Sequence, residues 1–277
     1  VGQFFLNDID DAIADITWIK EHGLRGGVLL PTVAPDVTWV RPLYDPAYDR
    51  LWAAIQDLDL VVNLHGGTGS PDYGRYPATP LLLISEVGFY GLRAFVHLLL
   101  SGVFERFPRL KFAITEQGAA ELPELLSRLD SIIENVRRGA IGELKYTAED
   151  GLPRSATEYF HQNVWIGASF PGPGELEVLD MVAPDRFMWG SDYPHDEGTH
   201  PDTREHLRQV FSDFDEATMR RVLAENAAAL YDFDLEALAP LAARYGPTVA
   251  EVHEPLTELP AEPNSALLKA AAPAKVA

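Results

Sequence analysis

The chain has 277 residues, no cysteine, and 22 basic against 42 acidic side chains, a formal net charge of −20 at neutral pH. A chain of this length fills one α/β barrel or two smaller domains, and without thiols it has no disulfides and no thiolate metal site, so any metal must sit on histidine and carboxylate. So acidic a surface, with no basic cluster to offset it, excludes nucleic acid and anionic membranes as partners.

No apolar run approaches the ~20 residues that cross a bilayer, and the first residues lack the charged-then-apolar layout of a leader, so the expected setting is the cytoplasm. In chain order, Val1 to Leu6 reads as the last turn of a strand. A helix follows over 9–22, with Asp8 suited to its N-cap and His22-Gly23 to its stop. Next come a strand at 27–31, a helix at 48–57 and a strand at 60–64. A Pro/Gly/Tyr-rich connection at 66–80 leads to a helix at 85–104, a strand at 110–115, a helix at 122–138 and a long connection at 139–154. Strands at 164–170 and 186–190 flank a helix at 174–182, and helices at 203–211 and 215–231 close the pattern. Short apolar runs alternating with helical periods predict βα units and a parallel sheet. From about Pro255 the composition turns to Pro, Glu and Ala, which predicts a disordered tail at 255–277 behind one domain at 1–254.

Three of these strands deliver polar groups to their C-terminal ends. Phe187-Met188-Trp189 leads to Asp192 and then His195; Leu60 to Leu64 ends at His65-Gly66-Gly67; Lys111 to Thr115 ends at Glu116-Gln117-Gly118. An aspartate beyond an apolar strand is badly sited for packing and well sited to hold a metal or move a proton. Its alternative is to cap the turn that Tyr193-Pro194 makes. His65 reads as a metal ligand, a general base or a histidine that merely closes its strand. Glu116 reads as a ligand, an acid/base, or a cap for the helix that follows. His195 reads as substrate-facing or as a solvated loop residue. His65-Gly66-Gly67-Thr68-Gly69 also resembles the oxyanion loop of α/β-hydrolases, but no G-x-S-x-G nucleophile elbow follows it.

The remaining candidates are weaker. His97 reads as a core-edge residue and His22 as a cation at a helix end. His161, His200, His206 and His253 carry no spacing signal, although His200 is near enough to His195 to share its loop. Tyr73, Arg75 and Tyr76 in the loop after His65 suit an anionic or aromatic substrate, or simple loop packing.

Taken in order, several motifs resemble the amidohydrolase-related proteins of the aminocarboxymuconate-semialdehyde decarboxylase type. They are Gly23-Leu24-Arg25-Gly26-Gly27-Val28, Leu64-His65-Gly66-Gly67, Ser101-Gly102-Val103-Phe104-Glu105-Arg106-Phe107-Pro108, Thr115-Glu116-Gln117-Gly118, Trp189-Gly190-Ser191-Asp192-Tyr193-Pro194-His195 and Glu225-Asn226-Ala227. The resemblance implies a metal-dependent (β/α)8 TIM barrel that hydrolyses or decarboxylates a small carboxylated or cyclic substrate. It implies one divalent ion, zinc first with manganese or iron(II) as alternatives, and often a homodimer. By the same resemblance His65 ends strand five and Asp192 ends strand eight as metal ligands; the expected catalytic residues are Asp192, which activates water or orients substrate, with Glu116 and His195 assisting. Glu116 stands where the family commonly has a second histidine. The family's first-strand ligand motif has no counterpart before Gly27, so the expectation is an N-terminally truncated barrel lacking strands one to three. The competing expectation is a non-catalytic partial barrel or pseudoenzyme serving as a binding or oligomer subunit.

Overall fold

The computed structural model of the protein describes residues 1–67, 69–179 and 184–271. These form two compact units, Val1–Gln117 with Glu121–Ile166, and Gly118–Ala120 with the residues from Gly167 onward.

In the first unit β1 (Gly2–Gln3), β2 (Val28–Leu29), β3 (Val61–His65) and β4 (Lys111–Thr115) lie side by side in that order, all parallel. Each is separated from the next by helix: α1 (Ile9–Glu21), α2 (Asp49–Asp57), then α3 (Thr79–Leu100) with α4 (Val103–Arg106). α5 (Leu122–Arg137) and α6 (Ala156–Asn163) follow β4. Val61, Val62, Asn63 and Leu64 are all buried, as expected for a parallel strand covered on both faces. The buried Asn63 is satisfied because its amide donates to the carbonyls of Gly26 and Val28 at 2.7 and 3.1 Å. Beside it, Gly27 has φ +72°, and a Cβ there would run into the Val61 carbonyl, so the approach of β2 to β3 requires glycine. Phe95, Phe104, Phe112 and Phe160 bring α3, α4, β4 and α6 together with ring centroids 5.8–6.4 Å apart. All four are fully buried, and each contributes on the order of 2 kcal/mol by leaving water.

Two expectations need correction here. The helix expected over 85–104 starts earlier, at Thr79, because Pro80 fits the first turn, where no N–H is needed. It ends at Leu100; Gly102 at φ +74° then breaks the chain into the separate α4. α3 is also long and apolar enough to cross a membrane by length and composition, against the expectation that no such run exists. Its second half is packed into the unit through Leu92, Phe95, Leu98 and Leu99, whereas Leu81 and Ile84 near its start are exposed. The 139–154 connection contains a small antiparallel hairpin of β5 (Ala140–Ile141) and β6 (Leu144–Lys145). α6 was not expected at all, although Ser155 and Glu158 form a full capping box at its start.

β7 (Val164–Ser169) carries the chain into the second unit, where the Phe170 N–H donates to the Gly190 carbonyl at the end of β8 (Phe187–Gly190), 2.7 Å away. The amide of Asn226 donates to the carbonyls of Pro184 and Phe187 at 2.6 and 2.7 Å and fixes the start of β8. Its helices include α7 (Pro173–Leu176) and α8 (Thr203–Phe211). Of the helix expected over 174–182, residues 180–182 lie outside the described residues. The single helix expected at 215–231 is instead α9 (Glu216–Arg220), a π-helical turn (Arg221–Glu225) and α10 (Asn226–Tyr231). Within the expected disordered tail, residues 264–268 are held in place: Ser265 and Leu268 are buried, and the Asn264 N–H donates to Asp202 at 2.8 Å. Residues 272–277 of that tail lie outside the described residues.

Candidate active site

In the first unit the register of β3 and β4 sets His65 opposite Thr115, so Glu116 emerges beside the imidazole. The strand ends are tied by the Gly66 N–H on the Thr115 carbonyl and by the Thr115 hydroxyl on the Leu64 carbonyl, at 3.1 and 2.9 Å. His65 Nδ1 lies 2.6 Å from the Gly66 carbonyl, which only accepts, so Nδ1 carries a proton and Nε2 is the outward nitrogen. Nε2 is 2.5 Å from Glu116 Oε2. Both side chains are part-exposed, at 45% and 32%, which leaves them open to a small molecule.

The backbone is bent to produce this pair. Glu116 has φ +54°, in the left-handed region, which costs a non-glycine residue about 1–2 kcal/mol. Gly66 admits the Glu116 carbonyl where a Cβ would collide with it. Gln117, which sequence reasoning passed over, is buried behind Glu116 in space that exists because residue 91 is glycine. The signal was there in Gly88 and Gly91 on one helix, but nothing in their spacing names the glutamine they receive.

In the second unit Asp192 follows β8, also left-handed at φ +59°. Its side chain is 11% exposed, and His195 Nδ1 lies 3.2 Å from both of its carboxylate oxygens. The loop folds back on itself through the His195 N–H on the Asp192 carbonyl, at 2.9 Å, and the Thr199 N–H on the Ser191 carbonyl, also at 2.9 Å. A Cβ on Gly198 would meet the carbonyls of Ser191, Asp192 and His195 at 2.8–3.1 Å, so the closure depends on glycine. The peptide bond between Tyr193 and Pro194 is cis.

The structure thus pairs His65 with Glu116 in one unit and Asp192 with His195 in the other. Glu116 is not a helix cap: its carboxylate is on His65, and the N-cap position of α5 is Glu121. Nor does Asp192 use its side chain to cap the turn, since the turn closes on its main-chain carbonyl. Of the loop residues, the Tyr73 hydroxyl donates to Glu86 at 2.6 Å, and burial together with this bond pushes its pKa up to about 12. Tyr76 is exposed. His22 stacks on Trp18 at the end of α1, His253 bonds to the Phe214 carbonyl, and His206, which had no spacing signal, is wholly buried. In both units the available donors are imidazole nitrogen and carboxylate oxygen, a set that fits zinc, manganese or iron(II).

Parallel strands followed by helices, with imidazole and carboxylate at the strand C-termini, define the class: an α/β protein with a candidate metal-binding polar face. Residues 2–233 match the family described as amidohydrolase, and the chain belongs to that family. It is 26% identical over 188 residues to gamma-resorcylate decarboxylase of Polaromonas sp., covering 66% of this chain and 55% of that protein. The crystal structure of 5-carboxyvanillate decarboxylase from Sphingomonas paucimobilis is similar with a TM-score of 0.65 and 25% identity, over 84% of this chain and 66% of that one. A dihydroxybenzoic acid decarboxylase from Polaromonas sp., solved with bound manganese and 2-nitroresorcinol, shares the fold with a TM-score of 0.60 and 17% identity, over 82% of this chain and 66% of that one. The chain spans about half the length of the curated relatives it matches.

Proposed function

We propose that this chain is part of a divalent-metal-dependent carboxy-lyase that removes CO2 from a small aromatic acid, built on a (β/α)8 barrel. The observation that carries the reading is the His65–Glu116 pair: an imidazole held by its own backbone, facing a carboxylate at the C-terminal ends of adjacent parallel strands. The decarboxylases among its relatives supply the reaction class.

His65 and Asp192 are the proposed metal ligands. The ion would polarise the carboxylate and adjacent hydroxyl of the substrate and hold them in place. Glu116 lies against His65 and orients it. His195, half exposed, exchanges protons with solvent and passes one from Nδ1 to the Asp192 carboxylate. That proton goes to the ring carbon, which keeps the electron pair of the breaking carbon–carbon bond, while CO2 leaves uncharged.

The test is to load the protein with manganese or zinc and supply 2,6-dihydroxybenzoate and 5-carboxyvanillate while following CO2. The reading expects metal-dependent release that His195→Asn lowers about 10²- to 10⁴-fold, the usual weight of a positioned proton donor. Hydrolysis of lactones or amides without any CO2 release would replace it with a hydrolase.

A further inference from the structure

The match to the amidohydrolase family ends at residue 233, and the chain beyond it is laced onto α8 of the second unit. Arg204 and Arg208 lie four residues apart on that helix and so share one of its faces. Arg204 donates to the Tyr245 carbonyl at 2.9 Å, and Arg208 to the carbonyls of Glu254 and Pro255 at 2.7 and 3.1 Å. Further along, the buried Ser265 places its hydroxyl 3.3 Å from His206 Nδ1 and accepts from the Leu268 N–H at 3.2 Å.

This lacing brings Asn264 against the loop that carries Asp192 and His195. The Asn264 N–H donates to the Asp202 carboxylate at 2.8 Å, just before α8. Its side-chain amide donates to the His200 carbonyl at 2.5 Å and reaches the Gly198 carbonyl at 3.4 Å. Both neighbours only accept, and a primary amide has two N–H donors, so one asparagine serves both. From Gly198 the hydrogen bonds run on to the site: the Gly198 N–H donates to the His195 carbonyl at 3.1 Å, and the His195 N–H to the Asp192 carbonyl at 2.9 Å. Tyr193 to Glu197 are all exposed, so packing gives this part of the loop little order and its hydrogen bonds must supply it. Gly198 and Thr199 are buried, and a buried carbonyl needs a donor.

We infer that Asn264 is a positioning residue for the proposed reaction, a clamp outside the family-matched span that holds the Asp192 and His195 loop in its closed form. The inference rests on the reading of Asp192 as a metal ligand and of His195 as the group that passes it a proton. Asn264 acts through the carbonyls of Gly198 and His200, and touches neither the metal ligands nor the substrate.

The experiment compares the full chain with its Asn264→Ala and Met219→Ala variants. It follows the His195 ring proton resonance, assigned through His195→Asn, and amide exchange at His195 and Thr199. Asn264→Ala is expected to displace the His195 resonance and to speed exchange at both amides about 10-fold, the upper worth of a lost hydrogen bond. Met219→Ala empties a buried position on α9, and is expected to lower the melting temperature while changing neither signal. In manganese-loaded protein supplied with 2,6-dihydroxybenzoate, Asn264→Ala should lower kcat about 10-fold and leave KM within about twofold. Should Asn264→Ala fail to fold, Asp202→Ala unhooks the Asn264 main chain instead and is expected to change the same two signals in the same direction. An unmoved His195 resonance with wild-type exchange in Asn264→Ala, equal changes in Met219→Ala, or an unchanged kcat in Asn264→Ala would each overturn the inference. Absence of CO2 release from wild type would sink the proposed function, and the resonance and exchange comparison would then decide this inference.

Discussion

His206 ties the pH stability of the second unit to one buried imidazole. It lies on α8, fully buried, with Nδ1 3.3 Å from the Ser265 hydroxyl and the Trp189 ring 6.4 Å away. Burial lowers its pKa from 6.5 to about 4, opposed only in part by the Pro171 carbonyl. The unfolded chain therefore takes up a proton below about pH 6.5 that the folded chain refuses until about pH 4. Stability is fully present above that window and is lost as pH falls through it, with a total of about 3 kcal/mol. Between pH 7 and pH 5 the loss comes to about 2 kcal/mol. His206→Gln removes the titration, so its urea-unfolding free energy, followed by tryptophan fluorescence, should fall by about 2 kcal/mol less than wild type over the same interval. Equal pH dependence in both proteins would refute the role given to His206.

Three further outcomes are expected. Glu116→Gly relieves a left-handed residue and should raise the stability of the first unit by about 1 kcal/mol, while metal affinity falls; loss of both would contradict the backbone reading. Glu116→Gln, which keeps the shape without the charge, should weaken zinc or manganese binding about 10- to 100-fold by titration against a competing chelator. Gly198→Ala forces a methyl group against three carbonyls, so the loop from Ser191 to Thr199 should open, detected as faster amide exchange at His195 and Thr199 than in wild type.

Most of the sheet could be read from the sequence because its strands are short apolar runs buried on both faces. The limits of β3 and β4 differ from expectation by a residue, and His65 and Glu116 were placed at their strand ends. Their pairing was not legible, since it depends on the parallel register that sets His65 opposite Thr115, and register between distant strands leaves no local mark. Hidden for the same reason were the burial of Gln117, set by glycines on another element, and that of His206, which a helix of ordinary amphipathic pattern carries inward. At the C-terminal end the Pro/Glu/Ala bias carried no mark of the hydrogen bonds that Asn264 and Ser265 make. The capping box before α6 and Pro80 at the start of α3 were local signals that had been passed over.

The central claim is that metal-dependent decarboxylation rests on His65 and Asp192, and the most direct test is CO2 release from 2,6-dihydroxybenzoate by protein carrying a measured content of manganese. The account predicts release that tracks bound manganese and disappears, together with the metal, in His65→Asn and Asp192→Asn variants that remain folded. Release that persists after the metal is stripped, or that survives at the wild-type rate in both variants, would contradict it.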